Sequence, residues 1–177
     1  DGDGYGDNAA AANGDDCEDV FGTSTLGLRG CPDRDGDLWA DSRDPFPDDG
    51  TQWSDLDGDG YGDNPIGNNK DVFPFDPTQQ QDSDGDGFGD NPGGTRGDAC
   101  VDEYGTSSRD VFGCPDADGD GWSDNGDGFP NDATRYLDTD KDGVEDQFDA
   151  FPFDPTQWND TDMDGYGDQL SGNRGDG

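Results

Sequence analysis

The stretch from Asp116 to Asp127 carries residues whose types and spacing indicate a chemical role. It reads D-A-D-G-D-G-W-S-D-N-G-D, with aspartates at positions 1, 3, 5, 9 and 12 and glycine at position 6. Side chains at positions 1, 3 and 5 of such a loop converge on one point, and the glycine allows a sharp turn. The carbonyl at position 7 and the later carboxylates then close the far side. The pattern predicts a loop that wraps a hard divalent cation.

The pattern occurs seven times, and we number the loops 1 to 7 in chain order. We call the last aspartate of each loop its late aspartate. Loops 2, 5 and 6 are compact, with the late aspartate three residues after position 9, whereas in the expanded loops 1, 3, 4 and 7 it follows position 9 by eight residues. This constant spacing predicts that the late aspartate does the same job in both kinds. Loop 1 is truncated, since its first ligand would precede Asp1.

The sequence predicts a set of ligands for each loop. The carboxylates, in order of loops 1 to 7, are Asp1, Asp3, Asp7 and Asp15; Asp33, Asp35, Asp37, Asp41 and Asp44; Asp55, Asp57, Asp59, Asp63 and Asp71; Asp82, Asp84, Asp86, Asp90 and Asp98; Asp116, Asp118, Asp120, Asp124 and Asp127; Asp138, Asp140, Asp142, Asp146 and Asp149; Asp160, Asp162, Asp164, Asp168 and Asp176. The backbone carbonyls at position 7 are those of Trp39, Tyr61, Phe88, Trp122, Val144 and Tyr166. In loop 2, Leu38 replaces the glycine of position 6, so we expect a strained turn or a weaker site there.

The composition excludes a fold held together by a conventional hydrophobic core. The 177 residues include 46 acidic and 9 basic ones, the formal net charge is -37, and only 25% of residues are hydrophobic. Such a chain cannot bury enough apolar surface to offset its conformational entropy. An ordered fold at this charge therefore requires counter-ions inside it. The sign of the charge also excludes direct binding to nucleic acid.

The types of residue in the loops indicate which cation they bind. Histidine is absent and the four cysteines do not form CxxC pairs, which disfavours zinc. Flexible loops that offer many carboxylate oxygens favour calcium over magnesium, because magnesium tends to keep its waters. We therefore expect several bound Ca²⁺ ions. No apolar run in the sequence is long enough to span a membrane.

The loops belong to a longer internal repeat. DGDGYGDN at the start of the chain returns as DGDGFGDN at Asp84, and Cys17 and Cys31 return as Cys100 and Cys114. The sequence therefore divides into two long repeats, residues 1–83 and 84–161, and the start of a third at 162–177. Because neither end coincides with a repeat boundary, we expect a window of a longer array.

Four linkers separate some of the loops. They read FPDDGTQW, FPFDPTQQ, FPNDATRY and FPFDPTQW and begin at Phe46, Phe73, Phe129 and Phe151. Aspartate followed by proline predicts the N-cap of a very short helix. The aromatic residues of the linkers and of position 7 predict small packing clusters, and a stacking platform for sugars is the alternative.

The four cysteines allow three pairings. The repeat symmetry favours Cys17–Cys31 and Cys100–Cys114, each spanning 14 residues. Structural disulfides of this kind imply an oxidising compartment. A redox pair is the competing interpretation, but no basic residue nearby supports an activated thiolate.

The D-x-D-x-D-G-x-x-D-x-x-D loops and the Cys-Pro-Asp steps at Cys31 and Cys114 resemble thrombospondin type-3 repeats, and the FPxDPTQW linkers look like a variant in secreted microbial proteins. The resemblance covers essentially the whole chain. It implies a mostly irregular coil, with minimal helix or sheet, wound around a string of Ca²⁺ ions in an extracellular protein. EF-hands are disfavoured, because the loops end in aspartate and prolines replace the flanking helices.

The leading functional hypothesis is a rigid extracellular rod, stalk or filament stabilised by calcium, formed by self-association or as part of a longer chain. The alternative is a cell-adhesion module, because Arg96–Asp98 and Arg174–Asp176 both spell RGD. A calcium buffer ranks last, since no helix pair is predicted to switch. No nucleophile–base pair or cofactor motif is present, so we do not expect an enzyme.

Overall fold

The computed structural model describes residues 1–7, 10 and 12–173 of the chain. In these ranges the backbone consists of turns, bends and extended segments, with no α-helix and no β-strand. Its isolated β-bridges join Gly6 to Gly14, Leu26 to Trp39, Gly62 to Lys70, Gly89 to Gly97 and Asp98 to Phe112. The prediction of a mostly irregular coil is confirmed. A search of the described residues for a helix capable of crossing the bilayer found none.

The chain divides into two compact units. One comprises Asp1–Gln81 with Gly93–Thr95, and the other comprises Asp82–Pro92 with Arg96–Gly177. The division into long repeats at 1–83, 84–161 and 162–177 stays a prediction.

Polar groups fill the interior of this fold. Only four apolar residues of the described chain are buried: Cys31, Ala40, Phe88 and Cys114. The largest fully buried side chains are those of three linker glutamines, Gln52, Gln79 and Gln157. Buried polar groups have to find hydrogen-bond partners, so this interior depends on specific contacts more than on apolar area.

The predicted linker helix is wrong for the described chain, where each linker forms two successive turns and the aspartate caps the second. In the second linker, Asp76 caps the turn by accepting the amide and hydroxyl of Thr78 at 3.0 and 2.6 Å, and its carbonyl accepts the amide of Gln79 at 2.9 Å. No further turn follows this one, because the carbonyl of Gln80 accepts the amide of Val72 at 3.0 Å. The cap therefore forms as predicted, but on a turn.

Aromatic packing is local. Trp122 stacks on Tyr136 with ring centroids 5.2 Å apart, which agrees with the predicted cluster of a position-7 and a linker aromatic. The side chains of Phe75 and Phe153, the second phenylalanines of two linkers, are largely exposed. Aromatic side chains therefore contribute small contacts within the repeats and do not build a common core.

Both disulfides predicted from the repeat symmetry are present, Cys17–Cys31 and Cys100–Cys114. Each closes a loop of 14 residues. By the chain-entropy model a closed loop of this length stabilises the fold by about 3 kcal/mol. Two disulfides fit a protein of an oxidising, extracellular environment.

Candidate metal centres

Loop 5 illustrates how the local sequence builds each candidate site. At position 1, Asp116 accepts the backbone amides of Gly119 at 2.8 Å and Gly121 at 2.9 Å. At position 9, Asp124 accepts the amide of Ala117 at 2.8 Å. These bonds bend the backbone into a closed ring. The carboxylates at positions 1 and 9 are thus tied into the backbone.

Positions 3 and 5 use one carboxylate oxygen in the local backbone and leave the other without a partner. Asp118 Oδ1 accepts the amide of Asp120 at 3.2 Å, and Asp120 Oδ1 accepts the amide of Trp122 at 2.8 Å. In both aspartates the second oxygen, Oδ2, is buried without a hydrogen-bond partner. Because such an atom is costly to bury, it is the one that a cation would satisfy.

The unpartnered aspartate oxygen recurs in loops 1 to 6, at positions 3 or 5 or at the late aspartate. These Oδ2 atoms belong to Asp3, Asp15, Asp35, Asp37, Asp57, Asp71, Asp84, Asp98, Asp118, Asp120, Asp140, Asp142 and Asp149. Glu145, at position 8 of loop 6, also has a buried oxygen without a partner. The bond from the position-7 amide to position 5 also recurs, at Trp39, Tyr61, Phe88, Val144 and Tyr166. One local geometry is therefore repeated along the chain.

In compact loop 5 and in expanded loops 1, 3 and 4 the late aspartate is bonded to the same backbone group. In loop 5 the position-8 carbonyl of Ser123 accepts the amide of Asp127 at 2.8 Å, and in loop 3 the position-8 carbonyl of Gly62 accepts the amide of Asp71 at 2.8 Å. Loops 1 and 4 repeat this bond at the same distance. In compact loops 2 and 6 the position-8 carbonyl accepts the amide of the preceding residue instead, Arg43 at 2.7 Å and Phe148 at 2.8 Å. The extra residues of an expanded loop begin and end next to position 8, so its late aspartate lies beside position 8.

Carboxylate oxygens from several positions lie close enough to share an ion. In loops 2 to 5, ligand atoms from positions 1, 3 and 5 lie within 4.8 Å of one another. In loop 1 the group is Asp1, Asp3 and the late Asp15. In loop 7, Asp160 accepts the amide of Gly165 at 3.0 Å, as position 1 does elsewhere. Its late aspartate, Asp176, lies outside the described residues.

Position 9 has a different environment from the other predicted carboxylates. In loops 4, 6 and 7 both of its oxygens accept hydrogen bonds, because a serine or threonine at position 2 donates its amide and its hydroxyl. The structure therefore uses these aspartates to close the ring. A role for position 9 as a ligand, like that of the position-7 carbonyl, stays a prediction.

The late aspartates lie close to the negative charges of other aspartates in the same loop. Burial raises the pKa of Asp98, and the negative charges of Asp86, Asp84 and Asp90 raise it further. The late aspartates of loops 2, 3, 5 and 6 have pKa values raised by the same causes. A divalent cation in the loop would relieve this repulsion.

Leu38 has the backbone conformation that the sequence predicts to be strained. Its φ is 82°, and Gly121, which has the same position in loop 5, has a φ of 97°. An L-residue in this region costs about 1–2 kcal/mol.

We expect Leu38→Gly to stabilise the calcium-bound protein by about 1 kcal/mol, because it removes this cost and the Leu38 side chain is half exposed. Chemical denaturation in calcium measures the change. The control is Leu56→Gly, which removes an exposed leucine at ordinary φ and should be neutral or slightly destabilising. Equal effects of the two substitutions would contradict the assignment of strain to Leu38.

The segment closed by the Cys100–Cys114 disulfide covers loop 4. Gly113, with a φ of 74°, lies so close to Asp98 that a Cβ atom would overlap its carboxylate. The amide of Gly105 donates to Asp86 Oδ2 at 3.1 Å. This segment therefore holds two predicted ligands of loop 4 in place.

We expect Gly113→Ala to weaken calcium binding at loop 4 by roughly tenfold, because the new methyl group displaces Asp98. Gly119→Ala is the matched control, since Gly119 has a φ of 80° but open space around its Cβ position. Calcium titration followed by NMR distinguishes the two, read at the loop-4 amides for Gly113→Ala and at the loop-5 amides for Gly119→Ala. Similar losses in both variants would show that backbone strain alone is responsible.

Sequence reasoning missed the linker glutamines, which contact the expanded loops directly. The available signal was that linkers containing Thr-Gln precede expanded loops, whereas Thr134–Arg135 precedes compact loop 6. Comparison with known protein families and with curated proteins found no match for this sequence. The interpretation of the loops therefore depends on their own geometry.

Proposed function

We propose that this chain is a calcium-stabilised structural segment of an extracellular protein, similar in kind to thrombospondin type-3 repeats. The observation that carries the proposal is the set of buried Oδ2 atoms without hydrogen-bond partners in loops 1 to 6. They recur at equivalent positions and belong to carboxylates, which are the ligands that calcium prefers. A merely solvated acidic loop would leave such oxygens in water.

The residues present fit a calcium ion in loops 2 to 6, and in loop 1 without a position-1 aspartate. The aspartates at positions 1, 3 and 5 and the late aspartate would hold it, and all of them offer oxygen. A bound ion supplies positive charge, which offsets the repulsion within a chain of net charge -37. Ion binding then contributes the folding free energy that an apolar core supplies elsewhere.

A structural role is favoured over a calcium buffer or sensor. A sensor needs an element with two stable arrangements, and the irregular backbone of the described residues offers no pair of helices to open. The proposal gives the carboxylates no catalytic role. Extension of the chain into a rod or filament, whether by further repeats or by self-association, belongs to the same proposal.

The adhesion alternative finds no support at Arg96–Asp98. The Asp98 side chain is 1% exposed, and its Oδ1 accepts the amide of Cys100 at 2.7 Å. A receptor metal would need that carboxylate at the surface. The second RGD tripeptide, Arg174–Asp176, lies outside the described residues.

Isothermal titration calorimetry with calcium tests the proposal. We expect about one ion for each of the seven loops, with much weaker binding of magnesium. Fewer than two calcium ions, or equal binding of both cations, would overturn it.

A further inference from the structure

The buried linker glutamines require an explanation that the carboxylate ligands do not provide. The side chains of Gln52, Gln79 and Gln157 are 1%, 1% and 0% exposed. Glutamine carries two donors and an acceptor, so burying it is favourable only where all of these find partners.

Gln52 finds its partners in the next loop along the chain. Its Nε2 donates to the carbonyls of Asn64 at 3.1 Å and Asn68 at 2.8 Å, and its Oε1 accepts the amide of Asn64 at 2.9 Å. Thr51 adds a fourth contact, because its hydroxyl accepts the amide of Asn68 at 2.9 Å. These partners belong to the extra residues of expanded loop 3, which we call its excursion, 64–70.

The same arrangement recurs in expanded loop 7. Gln157 Nε2 donates to the carbonyl of Gln169 at 2.8 Å, and Oε1 accepts the amide of that residue at 3.0 Å. The hydroxyl of Thr156 accepts the amide of Asn173 at 2.9 Å. The linker Thr-Gln pair therefore binds the excursion of the following loop in two separate repeats.

Glycine makes room for the glutamine. A Cβ atom at Gly62, which is position 8 of loop 3, would overlap the Gln52 side chain, and one at Gly167 in loop 7 would overlap Gln157. Compact loop 6 has Glu145 at position 8, and its linker has arginine in place of glutamine. Glutamine and position-8 glycine thus occur together in the loops that have an excursion.

We propose that Gln52 and Gln157 are positioning residues for the cation sites, and that a linker glutamine paired with glycine at position 8 specifies an expanded loop. The inference rests on the proposed calcium binding. The glutamine holds the excursion so that its last residues return to position 8, where the carbonyl of Asn69 accepts the amide of Gly62 at 3.0 Å. This places the late Asp71 where it would contact the ion.

The test is a calcium titration of the full ¹⁵N-labelled chain, followed at the amides of Gly58 and Gly60, which donate to Asp55 in loop 3. Gln52→Ala removes the donor to the carbonyls of Asn64 and Asn68, so we expect the calcium midpoint of loop 3 to rise by about 10- to 100-fold. Gln52→Glu keeps the size but loses the donor, and we expect a similar loss. Loops 5 and 6 should be unchanged.

Two further variants separate positioning from a general loss of stability. Arg135→Ala changes the same position of a linker that precedes a compact loop, and the amide of Gly143 should show an unchanged midpoint for loop 6. Gly62→Ala should weaken loop 3 in the wild-type background but add little to Gln52→Ala, because the overlap with the glutamine is then gone.

The outcomes are distinguishable. If wild-type loop 3 binds calcium and Gln52→Ala leaves its midpoint unchanged, or weakens all loops equally, the positioning role is wrong. Additive effects of Gly62→Ala and Gln52→Ala would also contradict it. If wild-type loop 3 does not bind calcium at all, the proposed function itself is wrong at this loop, whatever the effect of Gln52→Ala.

Discussion

Asp98→Asn should weaken calcium binding at loop 4 by about 30-fold or more and, in the absence of calcium, should make the same loop more stable. Removing one partner of a buried charge pair costs roughly 2–5 kcal/mol, which sets the expected loss of affinity. Without the ion the same substitution should stabilise the loop, because burial and the charges of Asp86 and Asp84 disfavour a negative Asp98.

The amides of Gly85 and Gly87, which donate to Asp82, report on loop 4 during a calcium titration. Hydrogen exchange of the same amides in EGTA measures the stability of the calcium-free loop. Asp102→Asn is the control, because Asp102 lies in the same disulfide-bonded segment but is exposed. Loss of stability in both states would show that Asp98 serves packing and not an ion.

The calcium-free chain should become more stable as the pH falls from 7 towards about 4, near the ordinary pKa of aspartate. The pKa is raised at nine aspartates, all at positions 3 or 5 or at the late position: Asp37, Asp44, Asp57, Asp71, Asp84, Asp98, Asp127, Asp140 and Asp149. A carboxyl with a raised pKa binds its proton more tightly in the folded state, so its contribution is present at low pH and lost as the pH rises.

Five other aspartates have lowered pKa values, so they favour stability at higher pH. Hydrogen bonds from hydroxyl groups lower the pKa of Asp49, Asp76, Asp132 and Asp168. At Asp110 burial raises the pKa, but hydrogen bonds from the Ser123 hydroxyl and from backbone amides together lower it further than burial raises it. The contributions of all five are lost on acidification. Asp49, Asp76 and Asp132 cap linker turns and Asp168 is at position 9 of loop 7; all four are partly or fully exposed, so solvent screens the effect. We therefore expect the larger group, in which Asp44, Asp71, Asp98 and Asp149 are buried, to determine the slope.

Calcium should reverse this pH dependence, since protons compete with the ion for the same carboxylates. Urea denaturation at several pH values, in EGTA and in saturating calcium, measures both slopes. Calorimetry near pH 5 in buffers of different ionisation enthalpy should detect protons released by calcium. Equal slopes with and without calcium would show that these carboxylates do not bind it.

The features that follow from local spacing were predictable from sequence. The turn at position 6, the strain at Leu38 and the local pairing of Cys100 with Cys114 all follow from residues near one another in the chain. In each case steric preference or repeat symmetry left few alternatives.

The features that depend on contacts between segments were not predictable in this way. Asp76 satisfies the rule for a helix N-cap, but the pairing of Gln80 with Val72 ends the turn, and no local rule contains that pairing. Gln52 was missed because a glutamine in a polar linker is expected to be exposed. Only its partners in the excursion, 12 and 16 residues away, explain its burial.

We propose that bound calcium takes the place of a hydrophobic core. Sedimentation velocity of the full chain, with calcium, after addition of EGTA and with magnesium in place of calcium, tests this proposal. We predict a compact species in calcium, reversible expansion in EGTA and no recovery with an equal concentration of magnesium. A sedimentation coefficient unaffected by EGTA would contradict the account, because the disulfides and polar contacts alone would then hold the fold.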